Sequence, residues 1–300
     1  MREVRVGPLR QHELSEANRI FNVAFGTFLG APDPASFFGD RSFLLPRWEG
    51  GATILAARID DRLIGSNVVT RWGSFGFFGP LTILPEFWDQ GVAQRLLEKT
   101  VELFDAWGVH QSGLYTFATS AKHVNLYQKF GYWPRYLTAI MTKTPQQSDN
   151  APLLLSSLPQ KDRDKAIKNC RQLASEVYDG LDPTSEMKAA ETILMREGEA
   201  VDAFAICRTG ADTEGGSKLC YLKFGAARNA TAFDSLLNAC ECFAASRGLT
   251  VEAGVNLARE DAYRRLRARG FRTLAQGIAM QRPHEPGFNA PGVYVIDDWR

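Results

Sequence analysis

Residues 85–95 read Pro85-Glu86-Phe87-Trp88-Asp89-Gln90-Gly91-Val92-Ala93-Gln94-Arg95, a glycine and a small residue placed just ahead of an amphipathic run. A loop that leaves a strand and enters a helix at such a point can hold an anion, because successive backbone N–H groups and the helix dipole converge there. Gly91 lets the backbone approach a phosphate closely, Ala93 keeps the first helical turn slim, and Gln94 and Arg95 can add donors. The same Gly-x-Ala also serves plain tight packing of a helix against a strand. Farther along, His123 stands four residues before Tyr127, so the two share a helix face, although a solvent-facing imidazole is the simpler expectation. Cys240-Glu241-Cys242 lacks the two-residue gap of metal and redox pairs and has no histidine nearby, so no metal site is expected.

The elements that must position these residues follow from periodicity. Val4, Val6 and Leu9 alternate as a strand, and Leu14, Ala17, Ile20, Phe21 and Ala24 recur at helical spacing. Residues 26–50, with Gly26, Gly30, Pro32, Pro34, Gly39 and Pro46 among many aromatics, suit a loop with short helical pieces. A hairpin over 53–60 and 63–71 is predicted across Asp60-Asp61-Arg62, followed by a strand over 77–84 that stops at Pro85. A helix is predicted over 91–107, burying Ala93, Leu96, Leu97, Val101 and Phe104. A strand over 112–118, a helix capped by Ser120 and reaching Phe130, and a strand through Met141 complete the first half. The polar, aperiodic stretch from Pro145 to Asn150 marks a domain boundary.

The second half repeats the punctuation of the first. Gly108 and Gly248, each closing a helix, lie 140 positions apart, and Gly131 and Gly270 lie 139 apart. Those registers place Thr231 or Ala230 opposite Gly91, Phe233 or Ala232 opposite Ala93, and Leu266 opposite Tyr127. Neither the glycine nor the tyrosine recurs. Arg264, Arg265, Arg267 and Arg269 on that helix read as a solvated face. The C-terminal segment Gly292–Arg300, whose Val293, Tyr294, Val295 and Ile296 make a strand-like run, is expected to dock on the folded body.

The stretch from Leu84 through Leu97, together with Tyr127-Gln128-Lys129-Phe130-Gly131-Tyr132, resembles the GNAT superfamily of N-acetyltransferases in a tandem form with a degenerate second domain. Gly91 and Ala93 match the last two fixed positions of that family's pyrophosphate loop, while Trp88 stands where glutamine or arginine is usual. Tyr127, Gly131 and Tyr132 match its second motif. The resemblance implies an α/β fold of two tandem acyl-CoA N-acyltransferase-like domains, each a twisted mixed β-sheet flanked by helices, over residues 1–145 and 151–300. It implies transfer of an acetyl or short acyl group from acetyl-CoA, or another acyl-CoA, to a primary amine by direct attack. The pyrophosphate would lie on Gln90, Gly91, Val92, Ala93 and Gln94, the thioester carbonyl near a backbone N–H of the strand ending at Leu84, and Tyr127 would protonate the departing thiolate. A phenol stays protonated at neutral pH and can serve a thiolate; the alternative for Tyr127 is a core aromatic beside Ala121 and Val124. The strand before the phosphate loop has no carboxylate, which leaves as base a water chain, Asp40, or a carboxylate of the C-terminal tail at Asp297, Asp298 or Arg300.

Length and composition describe a well-packed chain of about two domains. The 300 residues are 45% apolar and 23% charged, with 35 basic against 34 acidic residues and a net charge of +1. That balance offers no long-range attraction for nucleic acid or anionic lipid. Five cysteines, mostly in apolar segments, read as reduced, buried thiols, and with no signal region or long apolar run the chain is expected to be cytoplasmic, as a monomer or homodimer acting on a small-molecule or peptide amine. Phe37, Phe38, Phe43 and Trp48 fall in the loop that shapes the acceptor pocket in relatives, so an apolar or aromatic amine fits, as does simple core packing. Two rival functions stay open: a non-catalytic acyl-CoA-binding sensor or scaffold, and a site for a different phosphate ligand such as a nucleotide.

Overall fold

The computed structural model describes residues 3–146, 151–198 and 200–300; the proposed boundary at Pro145–Asn150 lies partly outside them. In the first half β1 (Arg5–Pro8), α1 (Leu14–Phe28) and α2 (Leu45–Glu49) precede β2 (Thr53–Ile59), β3 (Arg62–Trp72) and β4 (Phe75–Ile83). Then come α3 (Val92–Trp107), β5 (Gln111–Thr116), α4 (Ala121–Gln128) and β6 (Trp133–Lys143). The second half runs β7 (Leu153–Leu154), α5 (Gln160–Val177), β8 (Glu191–Glu197), β9 (Ala200–Gly210) and β10 (Gly216–Ala227). It ends with α6 (Ala230–Ala245), β11 (Thr250–Asn256), α7 (Glu260–Ala268), β12 (Arg272–Arg282) and β13 (Tyr294–Ile296). Local signals account for the joints. Asp60 and Asp61 both take positive φ (49° and 63°) in the β2–β3 turn, a conformation aspartate tolerates. Gly108 at φ 62° closes α3, and Ser120 caps α4 by accepting the His123 N–H.

Each half contributes a mixed sheet flanked by helices, but the two are not separate sheets. The strands form one continuous sheet in the order β1-β2-β3-β4-β5-β12-β6-β11-β10-β9-β8-β7. The strand after the last helix of each half has crossed over: β12 pairs with β5 through Ile278↔Thr116 and Met280↔Leu114, and β6 pairs with β11 through Met141↔Ala253. The two exchanged strands pair with each other in the middle. Neither half closes its own sheet, so their stabilities are joined through backbone hydrogen bonds.

The sheet curls on itself. Trp72 on β3 and Phe224 on β10 are many strands apart, yet their ring centroids are 5.3 Å apart. Between the two arms lies an apolar core of Trp72, Phe75, Phe77, Phe204, Phe224 and Trp299, closed by the buried face of α5 at Ala166, Cys170, Leu173 and Ala174. All five cysteines are buried and none is in a disulfide. Among the described residues no helix is long and apolar enough to cross a membrane.

A buried ion pair ties the start of α1 to the sheet. Glu13 accepts from Arg58 Nε at 2.7 Å, from Arg58 Nη2, and from the Arg10 backbone N–H at 2.7 Å. The hydrogen bond from Arg58 is the main reason its carboxyl is held at about 2 rather than 4.5. Because the folded pKa is depressed, this stabilisation is fully present above pH 4.5 and is lost as pH falls toward 2. Glu13→Gln is therefore expected to lower stability near neutrality by roughly 2–3 kcal/mol and to flatten the acid limb of the unfolding midpoint followed by circular dichroism. An acid limb as steep as that of the unsubstituted protein would place the acid sensitivity elsewhere.

Candidate active site

The cleft begins where β4 leaves β5. The two pair in parallel only as far as Phe78↔Leu114, although β4 runs on to Ile83. The cause is a bulge in β4: opposite β3, Asn67 faces Leu81 and Val69 faces Phe78, so Gly79 and Pro80 occupy the length of one residue. Gly79 has φ 128°, a region left to glycine, and Pro80 has no N–H to offer β5. A bulge bends its strand, and β5 does not follow.

Beyond the bulge the backbone polar groups sort by side. The Leu84 N–H donates to the Ile64 carbonyl at 2.9 Å, and the Thr82 carbonyl lies against Gly65 on β3. Along a strand successive residues direct these groups to opposite sides, so the N–H groups of Leu81 and Ile83 face the side that β5 has vacated. The expectation for Leu84 is thereby corrected. Its N–H is engaged by β3, its carbonyl accepts from Phe87, and its side chain is buried in the core beneath α1. The donors available to a ligand in the cleft are those of Leu81 and Ile83.

The loop that follows β4 delivers α3 to the same cleft. Gly91 is the N-cap of α3 at φ 78°, and no side chain caps the helix there. A Cβ added to Gly91 would meet only Gln94 Oε1, at 3.7 Å, so the space in front of the first turn is open. The first N–H groups of a helix have no intrahelical partner, and here those of Val92, Ala93 and Gln94 stand beside Gly91. Val92 is buried in the core and can offer a ligand only its backbone, Ala93 is half-buried, and Gln94 is exposed. The Gln90 side chain turns back to the Glu86 carbonyl at 2.8 Å, leaving backbone as its contribution. Trp88 pins the loop: its Nε1 donates to the Ile83 carbonyl at 2.8 Å. Across the cleft mouth, Asp89 meets Lys122 of α4 at 2.5 Å, both well exposed.

Tyr127 sits at the fork. Its ring packs edge-on to Phe78, the last β4 residue paired with β5, at 5.7 Å, and its hydroxyl lies near the side chain of Thr116, the last residue of β5. Burial pushes the phenol up to about 12. Tyr132, which follows Gly131 at φ 82°, takes the other side of Phe78 at 5.4 Å and hydrogen-bonds Ser112 at 3.0 Å; it is wholly buried and belongs to the scaffold. His123 is not solvent-facing. It is half-buried with its ring 5.0 Å from Phe28, which in turn lies 5.2 Å from Phe117. Burial, helped by Lys122, lowers its pKa.

The carboxylates weighed as bases lie elsewhere. Asp40 accepts from the Ser217 N–H at 3.0 Å and joins the halves. Asp297 pairs with Arg259 at 2.8 Å, and Asp298 accepts from Tyr221 at 2.9 Å and pairs with Arg300 at 2.9 Å. The Arg300 backbone oxygen accepts from Lys223 at 2.9 Å. Of the aromatics in the loop after α1, Phe43 is buried in the core and Phe38 and Trp48 pack against it. Phe37 is 38% exposed and packs edge-on to Phe38; Phe28 is 40% and Leu29 47% exposed.

The second half has the same fork with an occupant. Parallel pairing of β10 with β11 ends at Leu222↔Ala253, and β13 enters the gap. It pairs with β10 through Gly225↔Ile296 and Ala227↔Tyr294, while the Asp297 N–H donates to the Gly254 carbonyl of β11 at 3.0 Å. The helix that follows is capped from within, since Asn229 accepts the Ala232 N–H at 2.9 Å. Leu266 and Phe233 are buried in the core of that half. The sequence reading foresaw docking of residues 293–296, but not that they fill a cleft.

Comparison with known proteins agrees with this geometry. Residues 18–132 match the Acetyltransferase (GNAT) family. A putative acetyltransferase from Pyrococcus horikoshii superposes over 99% of this chain and 95% of its own, with TM-score 0.70 at 12% identity. A GCN5-related N-acetyltransferase from Sphaerobacter thermophilus covers 95% of this chain and 96% of its own, with TM-score 0.60 at 15% identity. A tandem GNAT protein from the clavulanic acid biosynthesis pathway covers 95% of this chain and all of its own length, with TM-score 0.57 at 10% identity. At such identities the likeness is one of fold. No curated protein matches the sequence.

Proposed function

We propose, from a first half that is a GNAT-family domain within a tandem GNAT fold, that the protein transfers an acetyl or short acyl group from acyl-CoA to an amine. The observation that bears most weight is the fork between β4 and β5, with Tyr127 at its apex and the uncapped start of α3 at its mouth. The pyrophosphate would rest on the N–H groups of Gly91, Val92, Ala93 and Gln94, and the pantetheine and thioester would take the unpaired N–H groups of Leu81 and Ile83 in place of a strand. The Tyr127 phenol, neutral at any working pH, would donate to the thiolate as the C–S bond breaks. Burial raises the basicity of that thiolate as it raises the phenol, so the two stay matched.

We assign the amine proton to His123, which lies one helical turn before Tyr127 on α4 and is kept neutral at pH 7 by its lowered pKa. Phe28, 40% exposed with its ring against His123, favours an acceptor whose amine is carried on an apolar or aromatic group. We take residues 1–145 as the reacting half and 151–300 as its support.

The test is thiol release from acetyl-CoA over a panel of amines. Turnover is expected, with an acid limb below pH 6.5 where His123 gains its proton, and His123→Gln is expected to remove that limb. Tight acyl-CoA binding without turnover on any amine would instead support a sensor or scaffold, a reading favoured by the engagement of Trp88 with Ile83 and by a β4 strand that carries no carboxylate.

A further inference from the structure

We propose that Arg47 and Glu214 are positioning residues, through which the chemically silent second half sets the shape of the cleft in the first; this rests on the acyl-transfer reading above. Residues 40–47 are clasped by the turn between β9 and β10. The Ser42 N–H donates to the Thr213 carbonyl and the Asp212 N–H to the Asp40 carbonyl, each at 2.9 Å. Arg41 Nε donates to the Glu214 carbonyl at 2.6 Å.

Arg47, on α2, is 1% exposed. Its Nη1 donates to the carbonyl of Gly79, and its Nε lies 3.4 Å from Glu214 Oε1. Glu214 is itself wholly buried, with Oε2 3.6 Å from Arg208 Nε. Arg208 pairs with Glu186 at 2.9 Å, and Glu186 accepts from Trp72 Nε1 at 3.1 Å. A buried guanidinium is costly unless its partners hold it in place, so Arg47 has little freedom to move. What it grips is the residue whose backbone makes the bulge, one position past the last β4–β5 pair. Fixing that carbonyl fixes where β4 parts from β5, and with it the direction of the Leu81 and Ile83 N–H groups.

A residue that only glues the halves together would alter stability without altering the chemistry of the folded protein. Pyrophosphate recognition lies at Gly91, away from the bulge, so misplacing the bulge should act on the reacting end alone. The variants are Glu214→Gln, which is isosteric, and the double variant Arg47→Met with Glu214→Gln, which removes one charge of each sign and leaves Arg208 with Glu186. In either variant kcat is expected to fall at least ~10-fold, with acyl-CoA affinity by calorimetry within about threefold of the unsubstituted protein. Amide exchange over residues 78–84 is expected to quicken by about tenfold or more. Unchanged kcat and unchanged exchange in a folded variant would overturn the proposal, as would kcat and affinity falling together in step with the melting temperature. Should the unsubstituted protein release no thiol with any amine, acyl transfer is the reading that fails, and the exchange arm still decides whether Arg47 and Glu214 hold the bulge.

Discussion

Replacing Tyr127 by phenylalanine is expected to lower kcat by about 10²–10⁴-fold, the range for loss of a general acid, while leaving acyl-CoA affinity unchanged. The substitution keeps the ring against Phe78 and removes only the hydroxyl at Thr116. If Tyr127 were simply a core aromatic, the loss would be one buried hydrogen bond, about 1 kcal/mol, visible as a lower melting temperature with kcat intact. The two outcomes fall on different axes, so kcat and thermal unfolding measured on the same preparation decide between them. Because the phenol sits at about 12, its ionisation should leave no mark on the rate between pH 6 and 9, and a basic limb abolished by Tyr127→Phe would also contradict the assignment.

Gly91→Asp is expected to weaken acyl-CoA binding by about 100-fold or more. Two effects act in the same direction. Gly91 holds φ at 78°, which an L side chain adopts at a cost, and a carboxylate there would point toward the phosphates that the helix N-terminus attracts. Gly91→Asn separates the two, since asparagine tolerates this conformation and has nearly the same shape without the charge. Calorimetry is expected to show one acyl-CoA per chain for the unsubstituted protein, little or no binding for the aspartate variant and an intermediate affinity for the asparagine variant, with circular dichroism confirming the fold. The single site follows from β13 lying in the β10–β11 gap and from Asn229 capping α6. Two sites per chain, or full affinity in Gly91→Asp, would mean that the ligand lies outside the β4–β5 fork.

What could be read in the residues themselves is local. Period and punctuation located the β2–β3 hairpin, α3 and α4 to within a few residues. Gly91 marked the start of α3, and the Tyr127–Tyr132 motif marked the helix that closes over the fork. Those features depend on backbone preferences of single residues and on which face of an element is apolar, and both are written in the order of side chains.

Which strand lies beside which is not written there. Backbone N–H and C=O groups pair without regard to the side chains they carry, so the alternation in β6 and β12 reports a buried face while saying nothing about the exchange that joins the halves. For the same reason the apolar run at Tyr294–Ile296 promised docking but not its place in a cleft. Arg47 and Glu214, 167 residues apart in the chain, gave no signal as a pair, because a charged residue in a loop reads as solvated until the fold removes its water. His123 went the same way: only the packing of Phe28 against α4 turned a nominally exposed imidazole into a half-buried one. Conformational preference determined the elements and the turn at Gly91, and tertiary pairing and desolvation decided the β4–β5 fork, the filling of its β10–β11 counterpart by β13 and the buried charges at Arg47 and Glu214.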